Sequence, residues 1–279
     1  MQLHTPQNPQ DWIRPLRQAM QRPPAAPRWP LHCNGQPIGS VEQGLLESMA
    51  APAWAAAQGL QLLAPLPPQG AGACWQLQAT DPTQALNGLA QLLRSHGRCG
   101  PWRNEQLDVR ADGSDTVLAT IERGAVRALG IATQAVHLLG LAPDGRMWVQ
   151  QRALDKASHP GKWDTLMGGM VSSGDSVATA LVRETQEEAG LDVAALQACS
   201  YGGHVDFACP NSEEGDGLGY MRERIHWYQA QLPRGLEPHN QDGEVAQFQC
   251  IDRATLEAWL LAGRFTPEAS LILADYLAW

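Results

Sequence analysis

Residues 168–191 constrain this chain more than any other stretch. Gly168, Gly169 and Gly174 come first, then Asp175, and then a run in which Arg183, Glu184, Glu187 and Glu188 precede Gly190. The order predicts a glycine-rich loop opening into a helix over about 176–189, stopped by Gly190. On a wheel of about 100° per residue the four charged residues share one face, and Ala178, Leu181, Val182, Thr185 and Ala189 form the other. One side packs and the other carries carboxylates. Glu184 and Glu188 are a like-charge i,i+4 pair, which costs a few tenths of a kcal/mol, and Arg183 offsets only part of three adjacent negative charges. A solvated charged face is therefore a poor account of this helix. A bound cation resolves the conflict, and oxygen donors without Cys or His suit Mg²⁺ or Mn²⁺, whose shell is completed by water and substrate phosphate. Gly168 and Gly169 remove two Cβ atoms where a backbone carbonyl has to approach such an ion.

The joint spacing resembles the Nudix box: Gly, five residues, Glu, seven residues, Arg-Glu-apolar-x-Glu-Glu-x-Gly-apolar. Gly169, Arg183, Glu184, Glu187, Glu188 and Gly190 match it, and the odds of a chance match are about one in a hundred thousand at ordinary residue usage. Two positions depart. Asp175 stands for the first Glu, either still holding Arg183 or capping the helix, and Thr185 stands for an apolar residue. The segments 121–126, 136–138, 159–169 and 240–245 with Phe248 are similar to a Nudix subfamily that carries an extra N-terminal domain, related to thiamine-pyrophosphokinase-associated enzymes. The resemblance implies an α/β/α sandwich over 131–279 and a smaller α+β domain within 1–130.

It also implies roles. Glu187 and Glu188 would ligate the metal, Mg²⁺ or alternatively Mn²⁺, together with the Gly169 carbonyl. Glu184 would act through water or as a proton acceptor, and Arg183 would orient the set. Glu244 is the favoured general base, with Glu213 and Glu214 as alternatives. The implied substrate is a small-molecule diphosphate, thiamine diphosphate or its damaged oxo and oxy analogues; a nucleotide sugar or ADP-ribose, or ligand sensing without hydrolysis, are the competing readings. A homodimer is compatible with all of them.

The rest of the chain narrows the setting. Lys+Arg number 20 and Asp+Glu 29, for a net charge of -9 over 279 residues, which disfavours a broad grip on nucleic acid or anionic membrane. Only Lys156 and Lys162 are lysines. Both fall just before the glycine-rich loop, where they are expected to meet phosphate, with Trp163 beside them as a stacking surface. Six scattered cysteines without a CxxC pair argue against a disulfide framework. No run approaches the ~18 apolar residues of a membrane span, and the start lacks a basic segment followed by an apolar one, so a cytoplasmic protein is expected. The first 30 residues, rich in proline, read as an arm. Strands are expected near 31–41, 60–64, 74–79, 136–142, 147–152, 198–207 and 224–231, with helices over 81–96, 253–262 and 267–279.

Overall fold

The computed structural model describes residues 8–65, 73–156, 158–210 and 219–279. The chain starts as a helix, α1 (Pro9–Ala19), which Asn8 caps by accepting from the Gln10 amide at 3.0 Å. A hairpin follows, β1 (Arg28–Cys33) and β2 (Gln36–Glu42), then two short helices, α2 (Leu45–Ser48) and α3 (Ala51–Ala57). β3 (Gln61–Leu63) and β4 (Trp75–Gln78) complete a four-stranded sheet in the order β2-β1-β4-β3. Pro30 sits inside β1, where a central strand was not expected to tolerate it. The reason is that β4 pairs with β1 only from Leu31 onward, so the missing N–H meets no partner strand on that side.

Helix α4 (Pro82–Ser95) begins as its sequence dictates, with the Asp81 carboxylate accepting from the Gln84 amide at 3.0 Å and Pro82 in the first turn. It buries Ala85, Leu86, Leu89, Ala90 and Leu93 along one stripe, partly against a two-stranded ribbon, β5 (Gln106–Arg110) and β6 (Val117–Glu122).

The second half is built on a mixed seven-stranded sheet of β7 (Ala132–Leu141), β8 (Met147–Arg152), β9 (Trp163–Asp164), β10 (Met167–Met170), β11 (Gln197–Pro210), β12 (Tyr220–Gln231) and β13 (Val245–Ile251). Its order is β11-β12-β7-β8-β13, with β10 paired to the first half of β7 and β9 to β8. β7 is central, parallel to β12 and antiparallel to β10, which explains its nearly continuous apolar sequence. Helix α5 (Val177–Ala189) covers one face through Ala180, Leu181 and Ala189 against Val136 and Leu138. Helices α6 (Arg253–Leu261) and α7 (Pro267–Tyr276) cover the other, where Leu256, Ile272 and Leu273 meet Ala135 and Leu139. The result is the expected α/β/α sandwich beside a smaller α+β part.

The two sheets do not divide the core. One apolar cluster runs from Ile13, Leu31, Trp75 and Leu89 to Ile272. The proline-rich start is therefore more than an arm: Trp12 packs edge-on against Trp279 at 6.1 Å, Arg17 pairs with Asp275 at 3.0 Å, and Ile13 is fully buried. Among the described residues no helix is long and apolar enough to cross a membrane. Ile13→Ala is expected to cost about 2–5 kcal/mol, the range for truncating a buried isoleucine; urea denaturation checks it, and a loss below about 0.5 kcal/mol would place α1 outside the core.

Candidate active site

Helix α5 is held in register from both ends. Ser176 and Thr179 form a reciprocal capping box, and Gly190 closes the helix in the left-handed region at φ 64. The cap is Ser176, and this frees Asp175 for the other expected role: its carboxylate accepts from Arg183 Nε at 3.0 Å. Arg183 also donates to Glu184 at 2.9 Å, Glu187 at 3.0 Å, the Met170 carbonyl at 3.2 Å and Ser172 Oγ at 3.3 Å. Thr185, in place of an apolar residue, is fully buried against the sheet.

The acidic residues of α5 are not equivalent. Glu188 is buried, where it accepts from Gln150 Nε2 at 3.0 Å and the Gly168 amide at 3.1 Å. Burial lifts its pKa to about 8 against the pull of those two bonds. Glu184 lies directly over Gly169, where a Cβ would collide with its carboxylate, so any larger residue there would displace the Glu184 side chain. Burial lifts Glu184 to about 7, opposed by Arg183. Glu187 is half exposed and turned toward Arg183. In this arrangement no three His, Cys, Asp or Glu side chains among the described residues gather round one point, and the Arg183 guanidinium bridges Glu184 and Glu187.

On the other face of β10 lies a cavity. Gly168 and Gly169 line it, with His137 on the adjacent strand and Arg103, Arg123, Arg127, Arg152, Asp164 and Glu223 around it. The His137 ring packs so closely over Gly168 that a Cβ there would strike the imidazole. Thr165 Oγ1 donates to the Met167 carbonyl at 2.8 Å, so it accepts from His137 Nδ1 at 2.9 Å. That bonding assigns the Nδ1–H tautomer and leaves Nε2 as an acceptor beside Gly168. Burial lowers the His137 pKa more than neighbouring Asp164 restores it, which keeps the ring neutral. Glu223 is the opposite case: burial alone would raise its pKa, but Arg127 at 2.8 Å and Thr133 at 2.7 Å outweigh it.

The remaining expected residues scatter. The Lys156 ammonium pairs with the Glu244 carboxylate instead of facing phosphate. That contact outweighs burial and lowers the Glu244 pKa, helped by the charges of Arg123 and Arg152. Lys162 is exposed and donates to the Gly263 carbonyl at 2.6 Å, at the far end of α6, so it does not meet the cavity. Trp163 is buried with its ring 4.6 Å from Trp259, part of the core and closed to a substrate ring. Glu213 and Glu214 lie outside the described residues. Reasoning from the sequence missed Arg123 and His137, although both fall in segments that carried the resemblance; Glu105 and Gln150 had no local signal, since their partners are brought to them by tertiary packing.

A sequence model of the NUDIX domain matches residues 132–275. The chain is 30% identical over 201 residues to Nudix hydrolase 20, chloroplastic, of Arabidopsis thaliana, an alignment covering 71% of this chain and 52% of that protein. It is 31% identical over 202 residues to Nudix hydrolase 24, chloroplastic, of the same plant, covering 70% and 53%. The chain thus spans about half the length of these relatives. Among solved structures, DR0079 from Deinococcus radiodurans is similar with a TM-score of 0.48 and 22% identity, covering 62% of this chain and 99% of that one. With its motif, its sandwich and a family match over just over half of its length, the chain belongs to the Nudix family.

Proposed function

We propose that this chain is a divalent-metal-dependent pyrophosphohydrolase acting on a diphosphate linked to an organic moiety. The observation that carries the reading is the pair Glu184 and Glu188, two carboxyls lifted to about 7 and 8 by burial on the face of one helix. The donors are all oxygen, and the Gly169 peptide is pressed beneath them without a Cβ; this fits a hard cation of the Mg²⁺ or Mn²⁺ kind. Glu187, Glu188 and the Gly169 carbonyl would hold the ion and Glu184 would join through water, with Glu187 exposed enough to turn from Arg183 toward it. When bound, such an ion neutralises diphosphate charge and lowers the pKa of attacking water.

The chain's own groups supply the rest. Arg183 fixes the carboxylates through its bonds to Asp175, Glu184 and Glu187. Glu244, kept ionised by Lys156, is the proton acceptor. On family resemblance alone the organic half is thiamine diphosphate or its oxo and oxy analogues, with ADP-ribose and nucleotide sugars as the rival class. Six scattered cysteines without a CxxC pair fit a reducing compartment such as the cytoplasm. The division into 1–130 and 131–279, and a homodimeric assembly, belong to the same proposal.

Phosphate release from a panel of organic diphosphates, dependent on Mg²⁺ and abolished by chelator, tests hydrolysis against ligand sensing. In that assay Glu188→Gln or Glu187→Gln is expected to remove nearly all activity, and full activity in either variant would sink the metal assignment. Glu244→Gln should lower kcat by ~10² to 10⁴ with metal affinity retained; the same pattern in Glu184→Gln and not in Glu244→Gln would move the proton acceptor to α5.

Stability should report the same carboxyls without any substrate. Because Glu184 and Glu188 hold protons to a higher pH folded than unfolded, the metal-free folded state binds more protons between about pH 4.5 and 8. Stability is then greatest below pH 4.5 for these groups and is lost as pH rises through 7 and 8. Thermal unfolding from pH 5 to 8.5 is expected to show that decline, on the order of a few kcal/mol, flattened in Glu188→Gln. A metal-free protein whose Tm is flat across this range would show that Glu188 is ionised throughout.

A further inference from the structure

The four arginines of the cavity divide by what their guanidinium groups already hold. Arg127 spreads its donors over Glu223 at 2.8 Å and Thr133 Oγ1 at 3.2 Å, and Arg152 donates through two nitrogens to Ser158 and lies 3.7 Å from Asp164. Arg123 is different. Its Nη1 donates to Glu105 Oε2 at 2.8 Å, while among the described residues Nε and Nη2 have no hydrogen-bond acceptor, although the side chain lines the cavity. Arg103, exposed at the cavity edge, has no side-chain hydrogen bond or ion pair among the described residues. Both belong to the part of the chain before the matched family region.

Arg123 is also aimed. Glu105 holds it with one carboxylate oxygen and with the other accepts from Ser172 Oγ at 2.7 Å. Ser172 Oγ in turn accepts from Arg183, and the Ser173 amide donates to the Gln106 carbonyl at 2.7 Å. The first residue of β5, Gln106, and Glu105 just before it are therefore bonded to the loop that leads into α5. Arg123 thus lines the cavity together with Glu223 and is tied through Glu105 and Ser172 to Arg183 of the acidic helix. The pair with Glu105 uses the single nitrogen Nη1, which leaves the rest of the guanidinium without a protein acceptor among the described residues, on a side chain that lines the cavity of a protein with net charge -9.

We propose that Arg123, aimed by Glu105 and assisted by Arg103, binds a phosphate group of the organic diphosphate, so that the region before residue 130 forms part of the substrate site. The proposal rests on the diphosphate reading above and names the residues that would hold the anion apart from the metal. Arg123 is a binding residue and Glu105 a positioning residue. Neither is offered by the segment matched to the family.

The test compares wild type with Arg123→Ala, Arg123→Lys and Glu105→Gln, and with Arg253→Ala on the outer surface of α6 as control. Calorimetry measures affinity for methylenediphosphonate, whose P–C–P bridge resists hydrolysis, with Mg²⁺ present and absent; kinetics follow whichever diphosphate of the panel is turned over. Arg123→Ala is expected to weaken methylenediphosphonate binding and raise KM by ~10- to 100-fold, as for loss of a charge-assisted bond, with kcat and Tm nearly unchanged. Arg123→Lys should recover part of the affinity, Glu105→Gln should show a smaller loss of the same kind, and Arg253→Ala should match wild type. Wild-type affinity and KM in Arg123→Ala would overturn the proposal, as would no binding of methylenediphosphonate by the wild type. A loss that follows a fall in Tm in both Arg123 variants would also overturn it, in favour of a structural role. If the wild type hydrolyses nothing in the panel, the hydrolase reading falls, and the calorimetric comparison still decides the role of Arg123.

Discussion

The site depends on two carboxyl groups removed from water on one helix. Glu188 is buried between Gln150 and the Gly168 amide, and Glu184 is pressed onto the Gly169 peptide. Burying a charge is unfavourable unless it is paired and hydrogen-bonded, and the surroundings of α5 are arranged round that penalty. Arg183 spreads its donors over three carboxylates, a carbonyl and a hydroxyl. The capping box, the Gly190 stop and the packing of Ala180, Leu181 and Ala189 hold the helix close enough to the sheet for this to happen. With the helix this close, a Cβ at Gly169 would displace the Glu184 carboxylate from its place over the strand.

Because β10 is so thin there, both of its faces become functional surface. Paired residues of adjacent strands point to the same side, so Gly169 and Val136 face α5 while Gly168 and His137 face the cavity. The same four-residue strand therefore separates the acidic helix from a pocket lined with arginine and a neutral imidazole. The strand thus has oxygen donors on one side and guanidinium groups on the other, the two kinds of group on which the proposed function and the proposed role of Arg123 rest.

What could be read from the sequence was local. The helix, its stop and its two faces follow from residues within one short stretch and are present, and of the two roles left open for Asp175 the structure shows the contact with Arg183. Asp175 is one methylene shorter than the family's Glu, yet it reaches Arg183 because the cap has moved to Ser176. What the sequence did not show is where neighbours in sequence part in space. Lys156 and Lys162 are six positions apart, but one turns to Glu244 and the other to the end of α6. Trp163 belongs to a two-residue strand against β8 and points into the core, a placement that depends on pairing with Gln151 and on Trp259, nearly a hundred residues away. Likewise nothing local announces that Gln150 will meet Glu188, or Glu105 Ser172.

The preference for arginine over lysine around the cavity has a physical basis beyond codon usage. A planar guanidinium can hold a structural carboxylate with one nitrogen and still offer others, whereas an ammonium beside a carboxylate is largely neutralised as a point charge. Lys156 shows the second case with Glu244, and Arg123 the first with Glu105. Arg123 can thus be fixed by the protein and remain available, which is what anion recognition in an acidic chain requires. The carboxylate that fixes it accepts from Ser172 with its other oxygen, so the loop before α5 and the arginine of the cavity are linked by one polar chain, Arg183–Ser172–Glu105–Arg123. Removing its middle member would leave a hydroxyl and a guanidinium without their shared acceptor, disturbing both sides of the site at once.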